Sequence, residues 1–154
     1  MISKVTATTV VHAPLREVYD QWTQFEEFPT FMSTVKHIEQ KSDASTRWRV
    51  EIGGVEHEFD AEITEQIPDS RIRWQSLGER THTGEVEFEA VPDGTRVSLT
   101  MGWVPEGFVE KVGAALNIDE RAAEHDLARF KELMERRGTA SGEWRGSIND
   151  AKEK

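Results

Sequence analysis

The chain has 154 residues, 36% of them hydrophobic, with 29 acidic against 19 basic side chains and a formal charge of −10. That length suits one domain able to remove roughly 70% of its unfolded surface from water, and the acidic balance argues against nucleic acid, which needs clustered Lys and Arg to neutralise phosphates. The absence of cysteine excludes disulfides, thiolate metal sites and a cysteine nucleophile, while the start Met1-Ile2-Ser3-Lys4 lacks signal character and no run approaches the ~18 apolar residues of a membrane span, so a cytoplasmic protein is expected.

Residues 4–12 are mostly β-branched and read as a first strand. Ala13-Pro14 ends it, and from Pro14 the residues Leu15, Val18, Tyr19 and Trp22 recur at helical spacing. A second short helix is expected over Glu26–Met32, with Phe25, Phe28 and Phe31 inward, although Pro29 then has to fit its first turn. Six further strands are predicted at 35–41, 46–52, 55–67, 71–77, 82–91 and 95–103. Ser42-Asp43-Ala44-Ser45, Gly53-Gly54, Pro68-Asp69-Ser70, Leu77-Gly78-Glu79-Arg80 and Pro92-Asp93-Gly94 separate them, the spacing of a meander rather than of parallel units.

Alternation along these strands tests the pairing order. Trp48, Val50 and Ile52 share one face of their strand, with Arg47, Arg49 and Glu51 on the other; Phe59, Ala61 and Ile63 oppose Glu58, Asp60 and Glu62. Ile72 and Trp74 oppose Arg71 and Arg73, Val86 and Phe88 oppose Glu85, Glu87 and Glu89, and Val97, Leu99, Met101 and Trp103 oppose Arg96, Ser98 and Thr100. The polar faces therefore run mainly basic, acidic, basic, acidic, basic. Antiparallel neighbours in chain order place opposite charges side by side and disfavour other pairings.

After Pro105 the pattern turns helical, with Val109, Val112, Leu116, Ala123, Leu127, Phe130 and Met134 on one stripe and Gly138 as a stop. A helix over 106–137 is about 48 Å long at ~1.5 Å per residue, and Asn117-Ile118-Asp119-Glu120 resembles an internal cap that breaks it. Residues 1–138 are thus read as one domain, and 139–154 as a polar, flexible tail with Trp144 its one aromatic anchor.

One strand, two helices, six strands and a long helix follow the order of the α+β helix-grip (START-like) fold. His12-Ala13-Pro14, Val18-Tyr19-Asp20, Trp22 and Phe25-Glu26-Glu27-Phe28-Pro29 resemble the opening of polyketide cyclase/dehydrase-like proteins of the SRPBCC superfamily, which also holds coenzyme Q-binding START-like domains. Ile63-Thr64-Glu65-Gln66-Ile67-Pro68-Asp69, Ile72-Arg73-Trp74 and Asp126-Leu127-Ala128-Arg129-Phe130-Lys131-Glu132 resemble later parts, so the likeness spans roughly 3–137; Trp144-Arg145-Gly146 resembles a recurrent tail word. The resemblance implies a seven-stranded curved antiparallel sheet closed over an apolar cavity by the long helix. It implies a small hydrophobic, ring-containing ligand such as a polyketide, isoprenoid quinone or lipid, and no cofactor. A polyketide aromatase/cyclase or dehydrase is the enzymatic alternative, and a protein-interaction or chaperone-like module the third.

Strand parity places His57 beside Phe59 and Ala61, and His82 beside Val86 and Phe88, on the apolar face. Both histidines begin strands of the same direction, so both stand at one end of the sheet, where an imidazole could meet a polar part of a ligand or move a proton. The bland alternative is a rim or core histidine satisfied by a backbone group. Trp48, Phe59, Trp74, Phe88, Met101 and Trp103 complete the expected lining, as ring platforms or as ordinary core. Glu58, Asp60 and Glu62 alternate with apolar residues, which fits a solvated sheet face better than a metal site. No zinc helix, Walker loop or nucleophile elbow occurs.

Overall fold

The computed structural model describes residues 3–52, 55–77, 82–103, 120–144 and 146–149. Strand β1 (Ser3–Val11) leads into helix α1 (Leu15–Trp22) and a 3-10 helix (Phe25–Thr30). Strands β2 (Val35–Gln40), β3 (Ser45–Ile52), β4 (Val55–Ile67), β5 (Arg71–Ser76), β6 (His82–Val91) and β7 (Gly94–Trp103) follow, then helix α2 (Glu120–Arg137) and a two-residue strand β8 (Ile148–Asn149). The sheet order is β1-β7-β6-β5-β4-β3-β2, all antiparallel, with β8 added to β4. From β2 to β7 each strand pairs with its neighbour in sequence, and β1 closes on β7, as the helix-grip order requires. The Gly53-Gly54 turn, Gly78–Arg80 and the expected first half of the long helix with Val109, Val112 and Leu116 lie outside the described residues.

The alternation holds. Trp48, Val50, Ala61, Ile63, Ile72, Trp74, Val86, Phe88, Val97, Leu99 and Met101 are all buried on one face. On the other face Arg47 bonds Glu58 and Asp60 at 2.9 and 3.1 Å, Arg73 approaches Glu65 and Glu85 at 3.4 Å each, and Arg96 pairs with Glu89. Apart from the largely covered Glu65 these pairs are solvent-facing and contribute little stability individually; their consequence is register, since Arg47 lies opposite Asp60 and Arg73 opposite Glu65.

Two local differences reshape the interior. The short helix expected over 26–32 spans Phe25–Thr30 and is of the 3-10 type, and the three-residue spacing of Phe25, Phe28 and Phe31 is the reason: with three residues per turn they share one face, and all three are buried. In β4 the register against β5 shifts between Ile63 and Glu65, so Thr64 is an extra residue. The bulge reverses the parity of everything after it and brings Gln66 to the buried side.

Helix α2 lies along β1, with Ala123, Leu127, Phe130 and Met134 buried. The Phe130 ring sits 4.9 Å from Trp22 and 5.0 Å from Phe31, so the last helix and the two short ones share one aromatic core. Gly138, at φ 78°, turns the chain out of α2 through a bond from its N–H to the Met134 carbonyl. Polar composition suggested mobility for the residues that follow, yet they have specific partners. Gln21, fully buried on α1, accepts from the Ser141 N–H at 2.9 Å and donates to its hydroxyl at 3.1 Å, and Glu17 accepts from the Ala140 N–H at 2.8 Å. The strap then ends in β8, beside Glu65 and Gln66 of β4.

Candidate functional site

The concave wall is assembled from neighbouring strands. Trp48 of β3 stacks on Phe59 of β4 with centroids 5.7 Å apart and 20° between planes, and on Trp74 of β5 at 6.0 Å and 28°. His82 of β6 completes the group, 5.4 Å from Trp48 and 5.9 Å from Phe59. From the 3-10 helix, Phe25 meets Trp74 edge-on at 5.5 Å and Phe28 meets Trp48 edge-on at 5.9 Å. These two phenylalanines fill the part of the concavity nearest the short helices.

The polar ends of these rings are satisfied within the wall. Trp48 Nε1 donates to Thr46 Oγ1 at 2.7 Å, and that hydroxyl donates to the Ala61 carbonyl at 3.3 Å. Trp74 Nε1 donates to His82 Nε2 at 3.0 Å, while His82 Nδ1 lies 3.2 Å from the Gly102 carbonyl. A carbonyl only accepts, so Nδ1 carries the proton and Nε2 is the acceptor. Burial lowers the His82 pKa to about 3, against a weaker opposing pull from Gly102. The side chain is fully buried, and its lone pair is already engaged. Of the two expected roles, this geometry supports packing over proton transfer for His82.

The remaining predicted residues divide between the two ends of the wall. His57 and Phe59 are partly buried near the start of β4, and His57 lies opposite Val50 in register. Met101 faces the same side from β7. Phe88 is at the far end of β6, where Tyr19 packs edge-on against it at 5.4 Å, and so it belongs to the core under α1 rather than to the group around Trp48. Trp103 ends β7 opposite His82; its side chain lies outside the described residues.

Residues 11–132 match the family described as polyketide cyclase/dehydrase and lipid transport. The chain belongs to this family. An uncharacterised 17.2 kDa protein of Streptomyces lincolnensis is 46% identical over 149 residues, covering 96% of this chain and 99% of that one. A crystal structure from Deinococcus radiodurans superposes with a TM-score of 0.71 at 25% identity over 87% of this chain and 98% of its own. The Zhui aromatase/cyclase of Streptomyces sp. R1128 also gives 0.71, at 17% identity over 94% of this chain and all of its own, a likeness of fold alone. Among the described residues no helix is long and apolar enough to cross a membrane.

Within this polyketide cyclase/dehydrase domain, sequence reasoning missed the part played by Asp126. It is 7% exposed on α2 and accepts from the Ser33 N–H at 3.3 Å and the Ser33 hydroxyl at 3.4 Å. Burial raises its carboxyl pKa, partly opposed by those two bonds. The residue stood in the family-like word at 126–132, and only its spacing with Leu127 and Phe130 on the buried stripe hinted that it turns inward. Thr46 gave no signal, because its role is a bond to a tryptophan two residues away on the same face.

Proposed function

We propose that this domain binds a small hydrophobic, ring-containing molecule at the end of the concave wall marked by His57, Phe59 and Met101. The observation that carries this reading is the unequal burial of one aromatic stack. Trp48 and Trp74 are 1% exposed, whereas Phe59, stacked on Trp48, is only partly buried and is therefore the outermost ring of the series. A planar guest that continues the stack gains ring contact and apolar burial without displacing a hydrogen bond, since both indole N–H groups are already used. A polyketide, an isoprenoid quinone or a lipid with a ring headgroup has this chemistry. Binding rather than catalysis is favoured because the most buried imidazole is held neutral and occupied.

The aromatase/cyclase reading rests on the family and on His57, which shares the wall with Phe59. In that reading the cavity folds a reactive chain and His57 moves the proton. Native mass spectrometry of the protein from its own cytoplasm, followed by fluorescence titration with quinones, polyphenols and fatty acids, tests the binding role. Phe59→Ala is expected to weaken a ring-bearing ligand by about tenfold, the scale of one aromatic contact. His57→Gln is expected to change affinity only a few-fold; a fall in single-turnover rate of ~10² or more with binding retained moves the assignment to the enzyme. No saturable response to any of the three ligand classes counts against the site.

A further inference from the structure

A cavity of about 320 Å³ opens between the 3-10 helix, the end of β2, the latter half of β4 and the C-terminal strap. Gln66 lines it, nine residues along β4 from His57 and hence ~30 Å of strand away from the His57 end of the wall. Phe25 lines it as well and packs edge-on against Trp74, so this ring stands between the two sites.

The strap supplies the outer wall. A Cβ at Gly146 would lie 2.5 Å from the Trp144 ring and one at Gly142 would lie 2.7 Å from Gln24 Oε1, so both glycines allow close packing that sets Trp144 at the cavity. The tail word Trp144-Arg145-Gly146 thereby acquires a physical account: the glycine is the seat of the indole. Beneath it Gln66 is 2% exposed. Its Nε2 reaches the Trp144 carbonyl at 3.5 Å, while its Oε1 accepts no hydrogen bond from any described residue. Gln66 lines the cavity, and this amide oxygen is an acceptor open to a donor there.

The charged residues that line the opening are acidic. Glu26, Glu27, Asp43 and Glu143 line it, and among its described lining residues there is no Lys or Arg. Glu26 keeps one oxygen on the Gln40 N–H at 2.8 Å, and Glu143 and Glu27 each have a guanidinium at 3.9 Å, from Arg16 and Arg137. Those contacts are too long to be direct hydrogen bonds, and the carboxylates keep acceptor capacity toward the cavity.

We propose that this cavity is a second ligand site, selective for a ring-bearing amine. The ammonium donates to Gln66 Oε1 and is neutralised by the carboxylates, and the ring lies against Trp144 and Phe25. A cation close to an indole face adds attraction that a neutral isostere lacks. The site is independent of the hydrophobic-ligand reading, because it uses other residues at the other end of β4.

The test is calorimetric titration of the full chain with benzylamine, benzyl alcohol and benzoate. Benzylamine is expected to bind saturably and more weakly as salt rises, and the other two are expected to bind at least tenfold more weakly. The surface pair Asp43→Asn and Glu143→Gln, which leaves the core untouched, is expected to lower benzylamine affinity by about two- to fivefold for each charge removed. Trp144→Phe is expected to retain part of the affinity and Trp144→Ala to lose it, whereas Phe59→Ala is expected to leave it unchanged. Equal binding of benzyl alcohol, indifference to the paired substitution, or absence of a saturable benzylamine response overturns the proposal.

Discussion

Trp74 donates its indole N–H to His82 Nε2 at 3.0 Å, so a residue of β5 and one of β6 fix each other's orientation inside the sheet. The burial of His82 also sets an acid response of the fold. An unfolded histidine titrates near 6.5, whereas burial lowers His82 to about 3. Between those values the unfolded chain takes up a proton that the folded chain refuses. Stability is therefore expected to fall as pH drops from 6.5 toward 3, by at most ~1.4 kcal/mol per pH unit from this residue. Urea midpoints at pH 7 and pH 5 check it: His82→Gln should show a flatter pH dependence than the parent, and equal slopes would assign the acid sensitivity elsewhere.

Gly84 is the register partner of Trp74, and a Cβ there would stand 2.2 Å from the indole ring. Gly84→Ala forces the indole off the strand and away from His82. Overpacking of this kind costs about 1–3 kcal/mol, and loss of the indole bond adds about 1 kcal/mol. A lower urea midpoint together with a weakened near-ultraviolet tryptophan signal is expected; an unchanged midpoint would show that the indole has another place to lie.

Asp126 carries the opposite sign. Its pKa in the fold is raised above the ordinary 3.8 because burial disfavours the charge. The fold then holds this proton more tightly than the unfolded chain does, and it loses stability as pH rises through the folded value. Asp126→Asn keeps an acceptor for Ser33 and removes the buried charge. It is expected to be more stable than the parent at pH 7, with the difference vanishing below pH 3.8. Thermal unfolding at both pH values measures this, and a variant less stable at neutral pH would show that the carboxylate has a needed charge partner.

Removing the strap after Gly138 takes both Ser141 bonds from the fully buried Gln21 and leaves its Oε1 with Arg137 at 3.4 Å and its Nε2 without the Ser141 hydroxyl. An unsatisfied buried amide costs about 1–3 kcal/mol, and β4 loses its pairing with β8 at Glu65 and Gln66. Truncation is expected to lower the urea midpoint and to speed amide exchange in the latter half of β4. Gln21→Leu placed in the truncated chain should recover part of the loss, since it removes the amide that lost the Ser141 bonds. No change on truncation would mean that the strap's bonds are matched by water.

Much of the sheet was legible because the information is local. Strands 55–67 and 82–91 were placed with the observed bounds, since a two-residue period with turn residues at each end is written in adjacent positions. The alternating charges predicted neighbours in chain order for the same reason: Arg47 and Asp60 face each other across a short hairpin, so their pairing needs no distant part of the chain. The aromatic lining was also visible as far as parity reached, which placed Trp48, Phe59, Trp74 and His82 on one face. The second short helix was legible from the phenylalanines at 25, 28 and 31, whose three-residue period is that of the 3-10 form it takes.

By itself, then, the sequence determined the strands, their order and the inward face, because burial alternates with a period that neighbouring residues reveal. Only the tertiary structure decided that His82 is neutral, for its state depends on an indole from β5 and a carbonyl from β7. Only it decided that Gln66 is buried, because the bulge at Thr64 is defined by a mismatch of register with β5 and leaves no mark on β4 alone. The strap is the plainest case: β3 begins opposite Glu62, which leaves the rest of β4 with an open edge, and a two-residue strand from the far end of the chain covers it. Nothing in the composition of residues 139–149 announces a partner that exists only after the sheet has formed.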